Sequence, residues 1–413
     1  MKGYIEMDIT ASQIESIVRS VINSMGAGAA PKANGPLPKT AHVAMLTGEK
    51  KIELQEIPLP ELGDNDILVK VEGAGICGTD VHEWKMDPFG LVPVILGHEG
   101  TGEVVYLGKN VNCDTAGKSL KVGDKIVTSV ISCGECYACR MVPGRTNLCD
   151  NQGVFGLIGD KRGQAEGNRA NGWFADYMVI KGGKGVTYFQ VNELNLKQRM
   201  ILELACVCVH ALERSQSTGL LNFGSKVLVQ GCGPVGLVMI TVLRAAGINH
   251  IIAVDGNEDR LKVAQKMGAK TTICFKRPDE DTLEKRVAKV KAVANNVGAD
   301  FAFQCTGAPI AAADIYSYIR RGGGMCEMGF FVNNGEYKVN PHFAMCNKEI
   351  NIVGSWDYSA EDYPKTVAFL KQCQEMNIPI EDLITHSFPL DKMNEAMETN
   401  VAQKGIKICY IND

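Results

Sequence analysis

No stretch of the 413-residue chain approaches the roughly eighteen uninterrupted apolar residues that a membrane-spanning helix needs, so no membrane span is expected. Charge of one sign is equally scarce. Its 43 basic and 47 acidic residues are interspersed for a net charge of -4, which leaves no strongly basic face for nucleic acid. The first residues lack the clean apolar core of a signal peptide, because Glu6, Asp8, Glu15 and Arg19 interrupt it. No internal repeat is evident. The cysteine pattern of a small secreted protein is missing too: fifteen cysteines are an odd number, in a large chain, several at metal spacing, which suits a reducing cytoplasm without disulfides. What remains is ordinary globular composition, 45% apolar and 22% charged, with room for two or three domains.

Three changes of rhythm divide the chain. Over residues 10–25, Ile14, Ile17, Val18, Val21, Ile22 and Met25 recur at helical spacing, with Thr10 and Gln13 placed as a capping box. Gly26 ends this amphipathic helix (1–25), and the Gly-, Ala- and Pro-rich segment 26–38 reads as a tether. From 39 to 208, short β runs such as 67–71, 102–106 and 124–127 alternate with glycines, predicting a partly β-barrel domain. From 209 to 350, strands at 226–230, 251–255, 271–275 and 300–305 alternate with helical stretches, predicting a doubly wound parallel sheet.

Chemistry concentrates at three places. Cys77-Gly78-Thr79-Asp80 is followed, twenty-one positions after the cysteine, by His98-Glu99, which puts a thiolate, an imidazole and a carboxylate in glycine-rich surroundings. Taken alone, a cysteine is more often a small buried hydrophobe and a histidine a satisfied structural residue. Together these residue types suit zinc, and a site with three firm ligands leaves a position open for substrate. Cys133, Cys136, Cys139 and Cys149 supply four thiolates, the composition of a closed structural zinc site, with redox-sensing thiols as the alternative. Nine residues separate the last two cysteines, and Pro143-Gly144 offers an extra turn there. Finally Gly231-Cys232-Gly233-Pro234-Val235-Gly236 follows the strand 226–230, opens the helical run 237–246, and has Asp255 at the end of the next strand. Gly231 permits the turn, Gly233 lets backbone amides approach a pyrophosphate, Gly236 permits helix–sheet contact, and Asp255 accepts from ribose hydroxyls while repelling a 2′-phosphate, favouring NAD over NADP.

On these motifs the chain, from about residue 39 to its end, resembles the zinc-dependent medium-chain alcohol and polyol dehydrogenases. The resemblance implies an α/β architecture: a GroES-like, partly β-barrel catalytic domain, a Rossmann domain, and a return to the first domain over 351–413. It implies a catalytic zinc on Cys77 and His98, with Glu99 either ligating or holding the zinc's water, and Glu203 as a fourth or exchanging ligand. Glu203 is followed by leucine where the family usually has proline, and its bland alternative is a salt-bridged carboxylate at the domain junction. The resemblance also supports a proton relay from Thr79 to His82; otherwise these are a turn hydroxyl and a surface imidazole. Trp84, Phe330 and Trp356 are expected to wall a pocket for a small alcohol or carbonyl substrate, or else to pack in the core. The helix within 10–25 resembles the peptides that append cargo enzymes to bacterial microcompartments. The expectation is therefore a zinc- and NAD-dependent dehydrogenase, a homodimer or homotetramer, in the cytoplasm or inside such a shell. The rivals are the same enzyme with that helix used for oligomerisation, and an inactive scaffold, against which the intact set Cys77, Thr79, His98, Glu99 and Asp255 argues.

Overall fold

A computed structural model describes residues 32–33, 35–142, 144–157 and 169–412. The helix expected within 10–25 lies outside them. Of the expected tether, Lys32–Ala33 is a short strand, pairing antiparallel with Leu107 and Tyr106. Glycine- and proline-rich chain still carries backbone donors and acceptors, and an open strand edge takes them.

The first domain is built on an eight-stranded sheet centred on Ile67–Gly75 and Glu99–Leu107. Both strands are buried along almost their whole length, one side chain after another, because the curled sheet covers one face and its neighbours cover the other. A three-stranded sheet, Lys51–Pro58, Thr40–Gly48 and Val94–Ile95, completes the barrel. Its core includes Leu68, Ile76, Leu96, Trp173 and Tyr410.

Six parallel strands form the second domain, in the order Thr271–Cys274, His250–Asp255, Lys226–Gln230, Ala299–Gln304, Ile319–Glu327, Asn351–Gly354. Numbered along the chain this is 3-2-1-4-5-6, the doubly wound dinucleotide-binding order, whose crevice opens where strands 1 and 4 part. Alternation splits the strand residues between two cores: Val227, Val229, Ala253 and Phe303 on one face, Leu228, Val254, Ala302 and Met325 on the other.

Two expected boundaries shift. Residue 351 begins the sixth strand of the parallel sheet, so the return to the barrel comes later, through Ile384–Phe388 and Lys407–Ile411, the latter antiparallel to Ile67–Gly75. The junction expected at 208/209 falls inside the helix Leu196–Gln216, which the two domains share. That helix starts on a reciprocal cap, Asn195 Oδ1 accepting from Gln198 N–H at 3.0 Å and Gln198 Oε1 accepting from Asn195 N–H at 3.3 Å. Its apolar residues then run into one core with the helices Pro234–Ala245 and Asp362–Glu375. A change of strand rhythm marks where a sheet starts, not where a helix serving both cores belongs.

Candidate functional site

Cys77 ends the strand-to-helix turn below the barrel and is the N-cap of the helix Gly78–Met86. Its N–H donates to Asp80 Oδ2 at 2.8 Å, while Asp80 Oδ1 accepts from Gly97 N–H at 3.2 Å. One buried carboxylate thereby ties the Cys77 turn to the turn ahead of His98. The same Oδ1 stands 3.4 Å from His98 Nδ1 and leaves the other ring nitrogen for a metal. Cys77, His98 and Glu99 offer ligand atoms that all lie within 4.8 Å of one another. Burial alone works to lower the His98 pKa, but the charges of Asp80 and Cys77 outweigh it and raise it well above the ordinary imidazole value. A donor set that draws a proton this strongly is one a dication fits.

Behind Glu99 stands Lys407, 2% exposed, its Nζ in contact with Glu99 Oε2 and donating to Ile76 O at 3.0 Å. Gly75 makes room for the pair, since a Cβ there would meet Glu99 Oε2 and Lys407 Cε. Neither Lys407 nor the role of Asp80 was visible in the sequence motifs; Lys407 comes from the last strand of the chain.

Glu203, half-buried on the shared helix, stands outside the three-residue set. Its pKa is pushed up to about 8 by burial and by the charge of Glu99, with His98 pulling the other way, so it shares the cleft with the set. Thr79 Oγ1 lies 3.6 Å from Cys77 Sγ. One turn further on, His82 is half-buried, its ring 5.7 Å from that of Phe331, and its pKa is lowered by burial and by Lys85. The aromatic over this segment is Phe331: a Cβ on Gly78 would come 3.2 Å from its Cζ. Phe330 faces Tyr337 at 6.3 Å instead. Trp84 belongs to the barrel core, 4% exposed, its Nε1 donating to Asn394 Oδ1 at 3.2 Å, while Trp356 is 52% exposed. The core reading was therefore the right one for Trp84.

The four cysteines 133, 136, 139 and 149 also bring their sulfurs within 4.8 Å of one another. Burial disfavours charge on Cys133, but the N–H groups of Glu135 and Cys136, donating at 3.4 and 3.2 Å, bring its pKa down to about 6. Amides pointing at sulfur are what a thiolate ligand needs. Gly144, at φ +68° with open space around its α-carbon, supplies a turn in the long last gap. The lobe docks through Asn147, whose Nδ2 donates to Trp356 O at 2.7 Å and whose Oδ1 accepts from Ser359 Oγ at 3.0 Å.

In the second domain Gly231 takes φ +94° and turns the chain into the helix Pro234–Ala245. A Cβ on Gly236 would strike Gly231 O at 1.8 Å, whereas one on Gly233 meets nothing within 4 Å. That open space over a helix N-terminus is the cradle a pyrophosphate fits, flanked by Pro234 and Val235. Asp255 Oδ2 accepts from Cys232 N–H at 2.7 Å and Oδ1 from Asn257 N–H at 2.8 Å, which fixes the carboxylate at the strand end.

With this geometry in place, comparison with known proteins gives one answer. Residues 63–188 match the alcohol dehydrogenase GroES-like domain and residues 234–372 the zinc-binding dehydrogenase domain. The chain is 30% identical to sorbitol dehydrogenase of Bacillus subtilis (strain 168), over 88% of this chain and 94% of that protein. It is 28% identical to L-threonine 3-dehydrogenase of Yersinia pestis (strain Pestoides F), over 89% and 98%. The crystal structure of an alcohol dehydrogenase from Thermotoga maritima superposes with a TM-score of 0.82 at 28% identity, covering 91% of this chain and all of that one. Among the described residues no helix is long and apolar enough to cross a membrane.

Proposed function

Because the chain belongs to the zinc-containing medium-chain alcohol dehydrogenase family, we propose that it transfers a hydride between NAD and a small secondary alcohol or polyol, or the matching carbonyl. The carrying observation is the convergence of Cys77, His98 and Glu99, within 4.8 Å, in a chain whose second domain has an open glycine cradle. Cys77 and His98 hold the zinc, with Glu99 and Glu203 as the carboxylates that ligate or exchange. The zinc, when bound, supplies a Lewis acid that brings an alcohol proton within reach of a neutral base. Thr79 takes that proton and passes it to His82, which is one helical turn away and has a lowered pKa that keeps its imidazole free to accept at neutral pH. Gly231, Gly233, Pro234, Val235 and Gly236 seat the pyrophosphate, and Asp255 holds the ribose. Cys133, Cys136, Cys139 and Cys149 hold a second, structural zinc.

Metal analysis of the purified protein should find about two zinc ions per subunit. A panel of secondary alcohols and polyols should show turnover with NAD and a weaker rate with NADP. Absence of zinc after metal-replete expression sinks the catalytic reading, and a preference for NADP sinks the role given to Asp255.

We also infer that residues 10–25 attach the enzyme to a microcompartment shell and that the catalytic part assembles as a homodimer or homotetramer. The support for attachment is the apolar stripe of Ile14, Ile17, Val18, Val21, Ile22 and Met25, a face that an isolated helix in water leaves without a partner. Deleting residues 1–31 should leave kcat/KM within about twofold of the full chain, since no residue named in the catalytic scheme lies there. Residues 1–25 fused to a fluorescent protein should gather at shells; a diffuse fusion together with loss of activity on deletion would favour a structural helix.

A further inference from the structure

Where the four-cysteine lobe meets the rest of the chain, donors outnumber acceptors. Asn147 wedges the segment 145–147 between the shared helix and the loop after the sixth parallel strand, its Nδ2 lying 3.5 Å from His210 Nε2 and donating to Trp356 O at 2.7 Å. Arg214 stands one turn beyond His210, in the last turn of that helix, and Ser355 directly precedes Trp356. Three elements thus bring Arg145, Thr146, Arg214 and Ser355 to one seam. Arg145 Nε, Thr146 Oγ1, Arg214 Nε and Ser355 Oγ are all buried without a hydrogen-bond partner among the described residues. All four can donate.

Among the described residues neither guanidinium forms an ion pair. Asp362, whose charge reaches Arg145, is already taken by His210 Nδ1 at 2.8 Å and by the Ser359 N–H at 2.8 Å. Helix polarity accounts for one cation at Arg214, but not for a second beside it. So one-sided a set of buried donors points to a missing acceptor. A carboxylate offers two oxygens in one plane, whereas donors arriving from three elements suit an ion with oxygens in three dimensions, and guanidinium forks suit phosphate. We propose that Arg145 and Arg214, with the Thr146 and Ser355 hydroxyls, bind a phosphate group, either the free ion or a small monoester. The site is separate from the dinucleotide cradle. Cys208 Sγ donates to Val235 O at 3.4 Å where the shared helix passes that cradle, and Arg214 lies about 9 Å further along the helix. Once occupied, the site clamps the four-cysteine lobe to the helix that carries Glu203.

The test titrates inorganic phosphate into zinc-loaded enzyme saturated with NAD, so that the cradle is already filled, and reads binding by calorimetry against chloride at equal ionic strength. Arg214→Gln should weaken phosphate binding by about tenfold or more, the size of one charge-assisted contact. Arg145→Lys keeps the charge and loses the fork, so it should weaken binding by less. Acetate should bind wild type at least about tenfold more weakly than phosphate does. Methyl phosphate tells the two sources apart, and binding of either form supports the site. Melting points should cross over: without phosphate Arg214→Gln, relieved of a repulsion, melts no lower than wild type, and with phosphate wild type melts higher. A merely structural arginine would lower the melting point in both buffers, which overturns the proposal. So does a wild type that responds to phosphate no more than to chloride, acetate that binds as well as phosphate, or undiminished phosphate binding when Arg145→Gln and Arg214→Gln are combined.

Discussion

Cys77→Ser is expected to lower kcat/KM by about a thousandfold or more while NAD still binds. Serine keeps the shape of the turn and is a favoured N-cap, so the helix Gly78–Met86 retains its start and the backbone bond from residue 77 to Asp80 survives. What is lost is the thiolate, the softest donor in the proposed set and one that places a full charge on zinc. Several kcal/mol of Lewis-acid stabilisation, lost at the step where charge develops on oxygen, corresponds to about three powers of ten in rate. Zinc content should fall by about one ion per subunit while NADH fluorescence titration stays near wild type. Full activity in this variant would remove Cys77 from the mechanism; loss of both zinc ions would mean that the whole lobe had come apart.

The second large effect is on stability. Lys407→Met is expected to cost about 3–5 kcal/mol, because it leaves Glu99 buried without its counter-charge. Methionine fills nearly the same volume, so packing is not the cause. The Lys407 pKa is raised, so the ammonium contribution is complete below the unfolded value of about 10.4 and is lost only as pH climbs through the higher folded value. The difference between variant and wild type should therefore be flat between pH 6 and 9 in chemical denaturation. Adding Glu99→Gln to Lys407→Met should recover most of the stability. A single variant within about 0.5 kcal/mol of wild type would show that the charge is satisfied some other way.

How much of this was legible in the sequence depends on how far apart the cooperating residues lie. Cys77 and His98-Glu99 share one hairpin of chain, and the glycine loop is wholly local, so spacing and residue type were enough to single them out. Lys407 meets Glu99 across more than three hundred residues, a pairing set by the last strand closing the barrel. Asp80 was part of the quoted motif, yet its two acceptor bonds join turns that only the fold brings together. For Trp84 helical phase supports the core reading: with Asp80, Val81 and Glu83 it shares the buried side of its helix, apart from exposed Met86. Phe331 sits in a loop, where no period tells one residue's direction from its neighbour's. Phe330 and Trp356 were singled out for their size, and size says nothing about facing.

The two-residue strand Lys32–Ala33 has a consequence for how the enzyme could be held. It is stitched to Leu107 and Tyr106, at the opposite end of the Glu99–Leu107 strand from Glu99, and nine strand residues measure about 27 Å from end to end. Lys32 therefore joins the barrel at the end of that strand away from Glu99. If the attachment proposed for residues 10–25 holds, its load is taken up at Leu107 and Tyr106, so attachment and catalysis would act at opposite ends of one strand.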